Sequence, residues 1–139
     1  MAAETLFETR WGRFTLELNH GDSSRSLRAW DAADLYLLEE LRRSPPRQDA
    51  DLALFNDAYG ALTLPLNAYS PRIFTDTATS RDGIVGNVRA NGLSEAPRFR
   101  ELAELAAPAE VPRFDLVIVK IPKSLSLLAY QLALIRPRL

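Results

Sequence analysis

The sequence contains no cysteine, one methionine and one histidine among its 139 residues. Without cysteine there is no disulfide framework and no thiolate metal site. His20 has no second imidazole to complete a zinc or iron centre. Net charge is also nearly absent, at −1, which argues against a nucleic-acid binder driven by whole-molecule electrostatics and leaves room for a local basic patch. No apolar run approaches the roughly 20 residues of a membrane span, so no membrane partner is expected. Met1-Ala-Ala-Glu-Thr5 shows no basic stretch ahead of an apolar core, so no secretory signal is visible and a cytoplasmic location is expected. Lysine is scarce too: Lys120 and Lys123 stand against 15 arginines. A GC-rich genome produces that ratio by default, and the planar guanidinium fork also suits phosphate; composition does not separate the two.

What is present is ordinary for a folded soluble domain, 47% hydrophobic and 25% charged, at a length suited to one domain and short for two. Phe14, Leu16 and Leu18 alternate with polar residues, which predicts a strand with one buried face. The segment from Thr5 to Thr9 pairs with it across a turn at Trp11-Gly12-Arg13, giving an N-terminal hairpin. Ala29 to Arg43 is predicted helical, with a stripe of Trp30, Ala33, Leu37, Leu38 and Leu41. Asp31 or Asp34 complements its positive end, Arg42 and Arg43 its negative end, and Ser44-Pro45-Pro46 stops it.

From Asp51 the rhythm changes. Leu52 to Phe55 is a continuous apolar run, as in a strand buried on both faces of a parallel sheet. A turn at Asn56 to Gly60, a short helix over Ala61 to Ala68 and a strand over Ser70 to Thr75 follow. Thr79 to Asn91 is predicted helical with Gly92 as its stop, and residues Pro97 to Ala107 fit a short helix or an irregular strand. Phe114 to Val119 is the strongest strand signal, broken by Lys120-Ile-Pro-Lys123. Ser124 then caps a helix carrying Leu125, Leu128, Leu132 and Ile135. The alternation implies an α/β fold with a parallel sheet. A doubly wound sheet that stops just after its last helix looks truncated, so residues 1–139 read as a fragment of something longer.

Ligands of open α/β sheets bind beyond the carboxyl ends of the strands. Those ends are Asn56-Asp57-Ala58-Tyr59-Gly60, Asp76 and Lys120-Ile-Pro-Lys123. A nucleotide site at the first needs several glycines for close backbone approach. Only Gly60 is available, and Tyr59 fills space a cofactor would need, which argues against a dinucleotide or S-adenosylmethionine site. Asp76 holds the position of a ribose-binding acid, though acids at strand ends are common. Lys120 and Lys123 form either a solvated turn or a phosphate-facing pair. Arg42, Arg43 and Arg47 make a second basic spot, explained by helix capping or by RNA.

No enzyme constellation emerges. His20 lacks a partner acid, and Ser23, Ser24 and Ser26 lack a nucleophile-elbow pattern. Trp30 reads as core before stacking platform, and Glu39 and Glu40 point to different helix faces.

Four strings together resemble one family: Leu27-Arg-Ala-Trp-Asp-Ala-Ala-Asp-Leu-Tyr-Leu-Leu38, Phe55-Asn-Asp-Ala-Tyr-Gly-Ala-Leu62, Asn87-Val-Arg-Ala-Asn-Gly92 and Val119-Lys-Ile-Pro-Lys-Ser-Leu-Ser-Leu-Leu128. The likeness, from about Phe14 to Arg136, is to the N-terminal domain of the large-subunit ribosomal RNA guanine-N2 methyltransferase G family and, more distantly, its small-subunit relative methyltransferase C. The resemblance implies a degenerate Rossmann-like class I methyltransferase fold, with the N-terminal hairpin and helix ahead of it. It implies a C-terminal catalytic domain that carries S-adenosylmethionine and an Asn-Pro-Pro-Phe motif, beside an N-terminal domain that has lost the cofactor and helps bind ribosomal RNA. This chain has no Asn-Pro-Pro-aromatic string, and Lys120-Ile-Pro-Lys123 stands at the corresponding strand end, so no catalytic residue carries over. The family also implies further strands beyond Leu139, whose absence exposes a sheet edge open to self-association. Two other readings compete: a purely structural domain that stabilises the catalytic one, and an active methyltransferase half with an unusual cofactor loop.

Overall fold

Phe7 and Phe14 sit opposite one another, both buried, in an antiparallel pair made by β1 (Leu6–Thr9) and β2 (Gly12–Thr15). The computed structural model describes residues 5–18, 28–75, 77–106 and 113–139. His20, Ser23, Ser24, Ser26 and Asp76 lie outside the described residues. The hairpin turn is Arg10-Trp11, earlier than expected, because Gly12 opens the second strand opposite Thr9.

α1 (Ala32–Arg43) begins with a capping box: the Asp31 carboxylate accepts the Asp34 N–H at 3.2 Å, and the Asp34 carboxylate accepts the Asp31 N–H at 3.0 Å. Its inner face differs from the expected stripe. Leu38 is buried and Leu37 and Leu41 are half-buried, but Ala33 faces solvent and Asp34 lies fully inside. A short apolar side chain yields the inward position to an acid because a cation waits there, as described below. Trp30 is buried ahead of the helix, 4.8 Å from the Phe7 ring.

Four parallel strands form the main sheet in the order β5 (Arg98–Arg100), β4 (Arg72–Phe74), β3 (Leu52–Phe55), β6 (Leu116–Val119). Every residue of β3 is buried, as its unbroken apolar run requires of a central strand. Leu52 and Leu54 face α1, the hairpin and α2 (Ala78–Ala90). Ala53 and Phe55 face α3 (Ala103–Ala106) and α4 (Leu125–Ile135), where Phe55 and Phe74 stack with centroids 4.4 Å apart. The fold is thus α/β and Rossmann-like, with a separate hairpin. The ambiguous stretch after Pro97 resolves into both alternatives in turn, the short edge strand β5 and then α3.

Two helical expectations are corrected. Residues 61–66 are buried but form successive turns, followed by a 3-10 turn at Asn67–Tyr69. Pro65 has no N–H to donate, so a regular ladder cannot pass through it. In α4, Ser124 does cap the helix, accepting the Leu127 N–H at 3.2 Å. Its buried face, however, is Gln131 and Ile135 with Leu127, Leu128 and Leu134 half-buried, while Leu125 and Leu132 face outward. The helix is apolar on nearly all sides, so its pattern does not mark which side meets the sheet.

α2 ends as expected at Gly92, whose φ of 66° suits glycine. The Gly92 N–H donates to Arg89 O and the Leu93 N–H to Val88 O, a Schellman closure. Two asparagines on this helix hold the hairpin. Asn91 donates to Thr15 O and accepts the Thr15 N–H, and Asn87 does the same with Glu17 while also donating to Tyr59 O at 2.6 Å. These amides supply the partners a neighbouring strand would otherwise give. Replacing Asn87, which is 4% exposed, with alanine is expected to cost about 2–4 kcal/mol by leaving three backbone groups unpaired. Asn91→Ala, nearer solvent, should cost about 1 kcal/mol, and urea unfolding of both variants reads the difference.

Candidate functional site

β3 leads to β4 and β5 on one side, and the chain then returns to place β6 on the other side of β3. The strand order therefore reverses between β3 and β6, and their carboxyl ends open the crevice where such sheets hold ligands. Asn56 to Gly60 leaves β3 here, and Lys120 leaves β6.

Asn56, at φ 69°, joins the two ends. Its amide donates to Lys120 O at 2.8 Å and exchanges a reciprocal pair of 2.8 Å bonds with Gln131 of α4. Gln131 is 1% exposed, so its amide is inside only because Asn56 satisfies it. Asp57 is equally buried. Its carboxylate accepts the Leu62 N–H at 3.2 Å, the Thr63 N–H at 2.9 Å and the Thr63 hydroxyl at 2.7 Å. Burial raises the Asp57 pKa to about 6, with the hydrogen bonds from Thr63 and Leu62 holding it back and the nearby Asp34 carboxylate pushing it further up. Leu62 and Thr63 begin the first crossover, and N–H groups at that place are the ones a nucleotide-binding sheet offers to its ligand.

Tyr59 and Gly60 continue the loop at φ 61° and 92°. The Gly60 φ is one that side-chain-bearing residues rarely adopt, and a Cβ there would also press on the end of the Leu64 side chain, so the loop favours glycine at this position. Tyr59 O is taken by Asn87.

The ammonium of Lys120 lies 2.9 Å from Asp34 Oδ1 and 3.4 Å from Asp31 Oδ2, with 17% of its side chain exposed. Burial opposes its charge, but the hydrogen bond and charge of Asp34, then the charge of Asp31, outweigh that and raise its pKa. For Asp31 the desolvation of partial burial is outweighed by the Asp34 N–H and by Lys120, so its pKa is lowered. The cluster joins the start of α1 to the end of β6.

The residues suggested by sequence thus fall into separate places. Lys120 is engaged inside, whereas Lys123 is exposed beyond it. Arg42 binds Glu39 through two bonds of 2.8 and 3.1 Å, Arg43 lies 3.3 Å from Glu40, and Arg47 lies 3.5 Å from Asp49. Arg42 and Arg43 lie in the last turn of α1 and Arg47 just beyond it, about 12 Å or more along the helix from Asp34. The lysines and the arginines are therefore at opposite ends of the sheet. Asn56, Asp57, Tyr59 and Gly60 do converge at the crevice. Asp34, Asn87 and Gln131 were missed there. The capping-box spacing Asp31-x-x-Asp34 was a signal for the first, while nothing local marks the two amides. Among the described residues no cluster of His, Cys, Asp or Glu could hold a metal ion, and no helix is long and apolar enough to cross a membrane.

The family model described as the RLMG N-terminal domain matches residues 4–139. The chain belongs to this family. It is 36% identical over 129 residues to a Ribosomal RNA large subunit methyltransferase G of Streptomyces avermitilis, covering 93% of this chain and 33% of the relative. It is 34% identical over 134 residues to the protein of that name from Aeromonas hydrophila, covering 96% and 34%. With that of Yersinia enterocolitica it shares 37% over 115 residues, covering 83% and 28%. This RLMG N-terminal domain chain spans about a third of the length of the curated relatives it matches.

Two stability measurements test the crevice. Because the Asp57 pKa is raised from 3.8 to about 6, its favourable contribution is complete below 3.8 and lost as pH rises through about 6. The urea midpoint is expected to fall over that window in the native chain, and Asp57→Asn should flatten the slope. Lys120→Ala, which strands the buried Asp34 carboxylate, should cost about 3–5 kcal/mol, and adding Asp34→Leu should restore most of it.

Proposed function

We propose that residues 1–139 form the non-catalytic, methyltransferase-like N-terminal domain of a longer S-adenosylmethionine-dependent ribosomal RNA guanine-N2 methyltransferase. In this reading the domain helps bind and position ribosomal RNA for a C-terminal catalytic domain in the cytoplasm. One observation carries the non-catalytic part. The Asp57 carboxylate holds the Leu62 and Thr63 N–H groups, so the donors that would meet a ligand are spent on an internal anion. A carboxylate of S-adenosylmethionine, or a phosphate, brought to the same place would meet that negative charge and find the Leu62 and Thr63 N–H groups already taken. The residues here do not fit the cofactor, and no step through it belongs to this chain.

The names of the relatives support ribosomal RNA as substrate of the whole protein. Of the basic residues suggested as contacts, Lys123, Arg42, Arg43 and Arg47 are exposed, and Lys120 reaches RNA only by leaving Asp34. Ile121, Leu125, Tyr130 and Leu132 are exposed beside β6, which has a partner on one edge only among the described strands. Those exposed apolar side chains support burial against the remainder of the longer protein, or against a second copy of this chain.

Calorimetric titration of the chain with S-adenosylmethionine is expected to show no binding at ~1 mM. Binding at micromolar concentration would favour an active methyltransferase half instead. A labelled ribosomal RNA hairpin should bind, with log affinity falling linearly in log salt. If the hairpin fails to bind, the domain is a scaffold for its catalytic partner.

A further inference from the structure

All four strands of the parallel sheet start at one end, and α1, α2 and α4 finish there because each runs back against the strands. That end collects arginine. Arg42, Arg43 and Arg47 already have Glu39, Glu40 and Asp49 beside them. Arg72 at the start of β4 is mostly enclosed and lies 3.6 Å from Asp51. Four others are different: Arg89 in the last turn of α2, Arg98 at the start of β5, Arg113 just ahead of β6, and Arg136 just after α4. All four are exposed, and none makes an ion pair with a described Asp or Glu side chain. Among the described residues, the two remaining acidic side chains at this end, Glu95 and Asp115, accept the Ser70 hydroxyl at 2.8 Å and the Asp51 N–H at 2.7 Å.

The opposite end has the reverse balance. There Lys120 is matched by Asp31 and Asp34, and Asp57 lies behind them. A chain of net charge −1 has therefore separated its charge along the strand direction. Helix C-termini attract cations, which accounts for Arg89 and Arg136 as well as for Arg42 and Arg43. Arg98 opens β5 and Arg113 precedes β6, where no helix end explains them. Each is anchored through one arm, Arg98 to Ser70 O at 2.8 Å and Arg113 to Leu139 O at 3.4 Å. A guanidinium has five donors, so an anchored one still presents a fixed fork to an incoming oxyanion.

We infer that this amino-terminal end of the sheet, and not the carboxyl-end crevice, is the surface that grips the RNA phosphodiester backbone, with Arg98, Arg113 and Arg136 as its leading contacts. The inference rests on the proposal that the domain binds RNA, and it places that contact on the end of the sheet opposite to a cofactor's. β5 and β6 are three strand spacings apart, so Arg98 and Arg113 bracket about 14 Å. At about 3.4 Å of rise per nucleotide, one strand lying across that end passes several phosphates over it. Phosphate contacts of this kind position an RNA without reading its sequence.

The test is fluorescence anisotropy of the full chain with a labelled ribosomal RNA hairpin across a salt series, native against the triple variant R98E/R113E/R136E. Circular dichroism checks that the variant is folded, and R98Q/R113Q/R136Q replaces it if it is not. The variant is expected to bind at least about tenfold more weakly, with a log-log salt slope shallower by about 2. A triple variant that binds as the native chain does, while Lys123→Glu abolishes binding, overturns this inference and leaves the RNA reading intact. Absence of binding by the native chain overturns both.

Discussion

The buried carboxylate of Asp57 decides what the rest of this fold can be. By accepting two backbone N–H groups and the Thr63 hydroxyl, it sets the course of the chain immediately after the central strand. A buried acid at that place is costly unless every oxygen is satisfied, and here the crossover itself supplies the donors. The consequence reaches outward. Gly60 takes a φ of 92° that favours glycine, Tyr59 O is met by Asn87, and Asn87 in turn fixes the hairpin. This corner acts as a structural joint between the central strand, its crossover and the hairpin.

Lys120 extends that joint to the other side of the crevice. Its ammonium satisfies Asp34, which otherwise would be an isolated charge inside the protein, and it draws the start of α1 onto the end of β6. The same contact removes Lys120 from the pool of freely available cations. The sheet is left with charge directed inward at its carboxyl end and with solvent-facing arginines at its amino end. The RNA-gripping surface proposed at the amino end and the joint at the carboxyl end do not compete, because they use opposite ends of the same strands.

Much of the secondary structure could be read from local pattern. The unbroken Leu52 to Phe55 run, the Phe114 to Val119 run and the Ser124 cap each reflect forces acting within a few residues, and each is found as expected. The inward faces of α1 and α4 could not be read the same way. Hydrophobic periodicity assumes that what is buried is apolar, whereas these helices bury Asp34 and Gln131. Both are paired with groups far along the chain, Lys120 and Asn56, and no periodicity records a partner 75 or more residues away. Pro65 was a visible warning that the crossover would not be a regular helix, and the turns across residues 61–66 follow from its missing donor.

Residue chemistry alone was enough to indicate an α/β chain, to exclude thiolate ligands, and to show a single glycine between Asn56 and Gly60. Those conclusions need only bond geometry, composition and neighbours in sequence. The placement of charge needed the folded chain. Lys120 and Arg98 are both basic residues at strand boundaries, yet one is neutralised inside and the other stands exposed. The difference arises because parallel strands and antiparallel helices bring distant segments to a common end, and only there does a charge acquire its partners or remain without them.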